Sequence, residues 1–145
     1  MIRVVLDTNV FVSAILAPEM PPARILEIAL TGGIRLVISQ AILREIRQVF
    51  QYAKIQKLLK KRRITSPDLE DVVLKILKVA FLTTGQLSLE GICGDPADDM
   101  VVSCAVEGEV DFIISGDQDL TSLESYQWIK IVAPAAFLKL IEEAE

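Results

Sequence analysis

Two acids stand directly behind apolar, strand-like runs. Ile2–Leu6 is almost continuously apolar and β-branched, and Asp7 follows it at once. Asp117 closes a matching run, Val110–Ser115, after the single turn residue Gly116. A carboxylate at the end of a buried strand costs desolvation energy unless backbone amides, a cation or a metal ion meets it. In open α/β sheets, ligands bind outside the carboxyl ends of the strands, which is where these two acids fall. The chain contains no histidine. That removes Ser-His-Asp and Cys-His nucleophiles, histidine zinc sites and histidine acid–base chemistry together. Its two cysteines, Cys93 and Cys104, are too few for a thiolate zinc site and form no CxxC pair. Catalysis must therefore rest on carboxylates, hydroxyls, Lys, Arg or a hard metal ion.

Two further acids can join the first pair. A helix opening at Asp95-Pro96 puts Asp98 on one face with Val101, Val102 and Ala105, the face most suited to pack on a sheet. Asp99 shares its face with Val102, Ser103 and Val106, which is less apolar, so Asp98 is the expected inward acid and Asp99 the alternative. Both also suit a helix's first turn, where the dipole favours negative charge. Glu45 lies beside Ile42 and Val49, at the edge of an apolar helical face, while Arg44 and Gln48 point to solvent. Carboxylates gathered within a few ångströms repel one another, and a divalent hard cation reverses that cost. Mg²⁺ or Mn²⁺ takes oxygen ligands and needs neither His nor Cys. Such an ion polarises a phosphodiester and lowers the pKa of an attacking water.

The elements that must position these acids follow from the pattern. With 145 residues and 52% hydrophobic content, one domain over residues 1–145 has enough chain for a core. The apolar runs fall short of the ~18 residues that suggest a membrane span, and no signal-like N-terminus is present, so a cytoplasmic protein is expected. Strands are expected at Ile2–Leu6, Ile34–Ile38, Val79–Thr84, Phe112–Ser115 and Trp128–Val132, with Trp128 in the core. Helices are expected at Val10–Leu16, Pro22–Leu30, Gln40–Lys61 with a break near Tyr52-Ala53, a stretch opened by Ser66 as cap and Pro67, Asp95–Glu107, and Pro134–Glu143. Gly85–Gly94 reads as a loop with little chemistry. Alternation of strands and helices implies a three-layer αβα architecture around a mainly parallel sheet of four to five strands.

The fragments Leu-Asp-Thr-Asn-Val, Ser-Gln-Ala-Ile-Leu-Arg-Glu-Ile from Ser39, Asp-Pro-Ala-Asp-Asp-Met from Asp95 and Ile-Ser-Gly-Asp-Gln-Asp-Leu from Ile114 resemble, in this order and spacing, the PIN-domain family, particularly its VapC-like toxin branch. The resemblance spans essentially the whole chain. It implies that Asp7, Glu45, Asp98 and Asp117 form an acidic catalytic quartet, with Mg²⁺ or Mn²⁺ held by Asp7, Asp98 and Asp117. It further implies supporting roles for Asn9 and Ser115 and support of the metal by Asp119 through water. The implied activity is a metal-dependent endoribonuclease, in which a metal-activated water attacks an RNA phosphodiester and leaves a 5′-phosphate.

A homodimer and a small antitoxin laid over the active-site groove follow from the same resemblance. The net charge of −5 argues against RNA binding by the whole surface, but Lys54, Lys57, Lys60, Lys61, Arg62 and Arg63 form a local basic stretch suited to a phosphate track. The rival reading is a PIN-like module that binds RNA or protein without cutting. A haloacid-dehalogenase-type phosphotransferase fits poorly, because Asn9 stands where its second acid belongs. A phospho-receiver domain fails on the last strand, where Ala133 rather than Lys precedes Pro134.

Overall fold

The computed structural model describes residues 1–144. Its centre is a six-stranded sheet: β1 (Arg3–Leu6), β2 (Arg35–Ile38), β3 (Phe81–Leu82), β4 (Phe112–Ile114), β5 (Ser125–Tyr126) and β6 (Ile129–Val132), in the spatial order β3-β2-β1-β4-β6-β5. Every pairing is parallel except that of β5 with β6. The apolar runs dictate this arrangement. Val4, Val5 and Leu6 of β1, and Ile113 and Ile114 of β4, have no exposed surface, as expected of strands covered on both faces.

The sheet has one strand more than the four to five read from the sequence. The addition, β5, is a polar Ser-Tyr pair set against β6, with Glu124 before it and Gln127 after it at positive φ, so no apolar run announces it.

Eight helices occur among the described residues: α1 (Thr8–Leu16), α2 (Pro21–Leu30), α3 (Gln40–Phe50), α4 (Ala53–Lys61), α5 (Ser66–Val79), α6 (Pro96–Glu107), α7 (Gln118–Thr121) and α8 (Pro134–Ala144). The expected break near Tyr52-Ala53 separates α3 from α4. Ser39 caps α3 by accepting the Ile42 amide at 3.2 Å, and Asp95 caps α6 by accepting the Ala97 amide at 2.9 Å.

The cap of α5 is Thr65 rather than Ser66. Thr65 Oγ1 accepts the Asp68 amide while Asp68 Oδ2 accepts the Thr65 amide, and this reciprocal pair moves Ser66 inside the helix. Trp128 is not a core residue: half its surface is exposed, it precedes β6, and its indole N–H donates to the Val110 carbonyl at 2.9 Å. No described helix is long and apolar enough to cross a membrane.

Register decides what meets at the sheet's carboxyl edge. Leu6 pairs with Ile114 across β1 and β4, and the Asp7 amide donates to the Ile114 carbonyl at 3.0 Å. The first residues beyond the two central strands therefore face each other.

Candidate metal centre

Asp7 leaves β1 as the N-cap residue of α1 but makes no side-chain capping bond. Its carboxylate turns instead to the neighbouring strand, where Ser115, fully buried, donates its hydroxyl to Asp7 Oδ2 at 2.8 Å. Ser115 Oγ in turn accepts the Asp117 amide at 2.9 Å. Asp117 then caps the short α7 by accepting the Asp119 amide at 2.9 Å. One hydroxyl thus fixes both the first acid's side chain and the last acid's backbone.

Asp98 comes to the same point from α6. One carboxylate oxygen from each of Asp7, Asp98 and Asp117 lies within 4.8 Å of the others. Asp7 and Asp98 are buried and Asp117 is half-buried. Burial is the main force on Asp7 and Asp98. It raises the Asp7 carboxyl above its ordinary range, against the lowering effect of the Ser115 hydroxyl and the Thr8 amide, with Asp117 and Asp95 adding repulsion. Burial, followed by the charges of Asp117, Asp7, Asp95 and Asp119, pushes Asp98 up to about 7. Asp98 Oδ2 is buried and has no hydrogen-bond partner.

Glu45 stands outside that closest group. Its carboxyl is raised by burial first and by the Asp7 charge second, while the nearby Thr8 hydroxyl lowers it. Glu45 is therefore near enough to Asp7 to feel its charge. Asn9 lies exposed in the first turn of α1, and Asp119 is exposed on α7, where its charge still bears on Asp98. Asp95, the cap of α6, also contributes repulsion at Asp7, Glu45 and Asp98. Its position directly before the first-turn proline carried no signal of that second effect.

Asp99 is also buried, but it faces elsewhere. Its carboxylate accepts the amides of Gly91, Ile92 and Cys93 at 2.9, 3.0 and 2.8 Å. The loop that looked poor in chemistry is thus tied to α6, a contact between a helix and an irregular segment that no periodicity reveals.

The basic residues Lys54, Lys57, Lys60, Lys61, Arg62 and Arg63 lie exposed on α4 and the turn after it. The ion pairs seen among the described residues join Arg24 to Glu27 and Arg47 to Glu70, and neither uses this stretch.

The oxygen-only donor set, the unpartnered Asp98 Oδ2 and the mutual repulsion of the carboxylates fit a divalent hard cation. Known proteins resemble this chain in sequence and in fold. The PIN domain family model matches residues 3–119. An uncharacterized protein of Methanocaldococcus jannaschii is 33% identical over 135 residues, covering 90% of this chain and 81% of the relative. The crystal structure of FitAcB from Neisseria gonorrhoeae has the same fold, with a TM-score of 0.53 and 15% identity over 91% of this chain and 98% of that one.

Proposed function

Since the chain belongs to the PIN-domain family, whose members are generally nucleases, we propose that it is a metal-dependent endoribonuclease, the toxin of a toxin–antitoxin pair. The observation that carries this reading is the convergence of Asp7, Asp98 and Asp117, with Asp98 Oδ2 buried and unpartnered among like charges. Such an arrangement is unfavourable on its own and becomes favourable around a cation.

Asp7, Asp98 and Asp117 would hold Mg²⁺ or Mn²⁺, with Asp119 supporting it through water. When bound, the ion supplies charge neutralisation for the phosphodiester and acidity for the attacking water. The chain's own groups do the rest. Ser115 fixes the Asp7 carboxylate through its hydroxyl proton. The Glu45 carboxylate, made more basic by burial and by Asp7, accepts a proton from the attacking water. Asn9, exposed beside the acids, offers its amide to the substrate. The six cations on and after α4 carry the RNA backbone, offsetting the repulsion between an acidic site and a polyanion.

A homodimer in the cytoplasm, silenced by a small antitoxin, completes the proposal. The resemblance to VapC-like chains supports it.

The test is cleavage of a broad RNA panel with Mg²⁺ or Mn²⁺, with and without chelator, beside Asp7→Asn. Cutting by the wild type that chelator and Asp7→Asn both abolish is the expected result. Equal cutting by both proteins would expose a contaminant, and no cutting by either favours the non-catalytic binding module.

A further inference from the structure

Helix α6 presents two different polar surfaces. From one, Asp98 enters the acid cluster. From the other, Asp99, Ser103 and Glu107, at successive helical turns, take up the segment Thr84–Cys93. Glu107 accepts the amides of Thr84, Gly85 and Leu87, and Ser103 Oγ accepts the Leu89 amide at 2.8 Å. Asp99 accepts the amides of Gly91, Ile92 and Cys93. The segment has no regular secondary structure of its own, so these side chains supply its order.

Asp99 differs from the other two in its place. It follows Asp98 directly, and its own amide donates to the Asp95 carbonyl at 3.0 Å, the bond that closes the first turn of α6. Its carboxylate reaches back to the amides just ahead of that turn. Gly91 and Gly94, at φ of +68° and +81°, let the chain bend round it. The stretch from Gly91 to Asp99 is therefore a closed ring, clamped by Asp99 at both its backbone and its side chain. Inside that ring sits Asp98, pressed toward Asp7 and Asp117 against their repulsion.

We infer that Asp99 is a positioning residue for the metal centre: it locks the first turn of α6 so that Asp98 stays aimed at Asp7 and Asp117. The inference rests on the proposed metal site. Outer contacts that orient a ligand typically change metal affinity by about 10- to 100-fold. Asn in place of Asp99 keeps the size but offers one acceptor and turns an NH₂ toward backbone donors. Glu107 is the natural control, because it tethers the same loop from the far end of the helix.

The experiment is calorimetric titration with Mn²⁺ of the wild type, Asp99→Asn, Glu107→Gln and Asp98→Asn, each checked for folding by circular dichroism. A dissociation constant raised about tenfold in Asp99→Asn, within about twofold of wild type in Glu107→Gln and beyond measurement in Asp98→Asn is expected. Unchanged affinity in Asp99→Asn would make it a loop staple only. Binding lost as completely as in Asp98→Asn would make it a ligand, and an equal loss in Glu107→Gln would assign the effect to the loop as a whole. Each overturns the inference while leaving the metal site standing.

No Mn²⁺ binding by the wild type removes the site and the inference together. Hydrogen exchange on the wild type covers a variant that fails to fold. Coupling is reciprocal, so Mn²⁺ must slow exchange at Gly91–Cys93, and unaffected exchange there also overturns the inference.

Discussion

The Ser115 hydroxyl reaches Asp7 Oδ2 at 2.8 Å across 108 positions of sequence, and it is the only side-chain bond that holds the Asp7 carboxylate among the described residues. Removing it in Ser115→Ala frees that carboxylate and also strips the Asp117 amide of its acceptor. Expected is a loss of about 1 kcal/mol in stability and roughly tenfold in RNA cleavage. Urea unfolding and a cleavage assay at saturating Mn²⁺ measure the two effects separately.

The metal-free protein is expected to gain stability on mild acidification. Folded Asp98 keeps its proton up to about 7, whereas the ordinary value is 3.8, so between those limits the native state binds more protons than the unfolded one. Stability then falls as pH rises through that window and levels off above it. In chelator, Asp98→Asn should be more stable than wild type at pH 7.5 by about 1–2 kcal/mol, with the gap closing near pH 4. A wild type that is already the more stable of the two at pH 7.5 contradicts this.

Added cation should reverse that ranking. At a hundredfold excess over its dissociation constant, Mn²⁺ stabilises the wild type by about 2.7 kcal/mol. The rise in melting temperature should vanish in Asp7→Asn, Asp98→Asn and Asp117→Asn, and differential scanning fluorimetry with and without chelator reads it directly.

Changing Lys54, Lys57, Lys60 and Lys61 to Ala should flatten the salt dependence of RNA binding. Each phosphate contact to a single strand contributes a slope of about 0.7 in log affinity against log salt. Binding titrations at several salt concentrations, in chelator and with Asp7→Asn to guard against cleavage, show whether the slope drops. A retained slope removes these lysines from the RNA path.

Gly108→Ala tests the seat of α6 on the sheet. A Cβ there would collide with Val37 Cγ1 and stand 3.1 Å from the Cys104 carbonyl, although the backbone φ is ordinary. Overpacking of this kind costs about 1–3 kcal/mol, which chemical denaturation would reveal.

Much of this was legible in the chain because strong local signals agree with the global fold. Ile2–Leu6 and Phe112–Ile114 are too apolar to lie anywhere but the sheet centre, so the acids after them had to reach its edge. Helical phase selected Asp98 over Asp99 for the cluster, although both are buried, because the flanking Val101, Val102 and Ala105 belong to the face toward the sheet. Signals failed where long-range contacts decide. The tie from Asp99 to Gly91–Cys93 joins a helix to a loop of no pattern. Strand β5 depends on β6 rather than on its own residues. Trp128 looked like core because of its size, but a turn sets it at the rim.

The strand order also has a consequence in time. Asp7 directly follows β1 and Asp117 lies in the turn after β4, yet β1 and β4 are neighbours at the centre of the sheet. During synthesis, β1 and β2 can pair early, but the acid cluster has no third wall until β4 slots in beside β1. The acid cluster therefore cannot form from β1 and β2 alone; it waits on the pairing of two segments far apart in the chain.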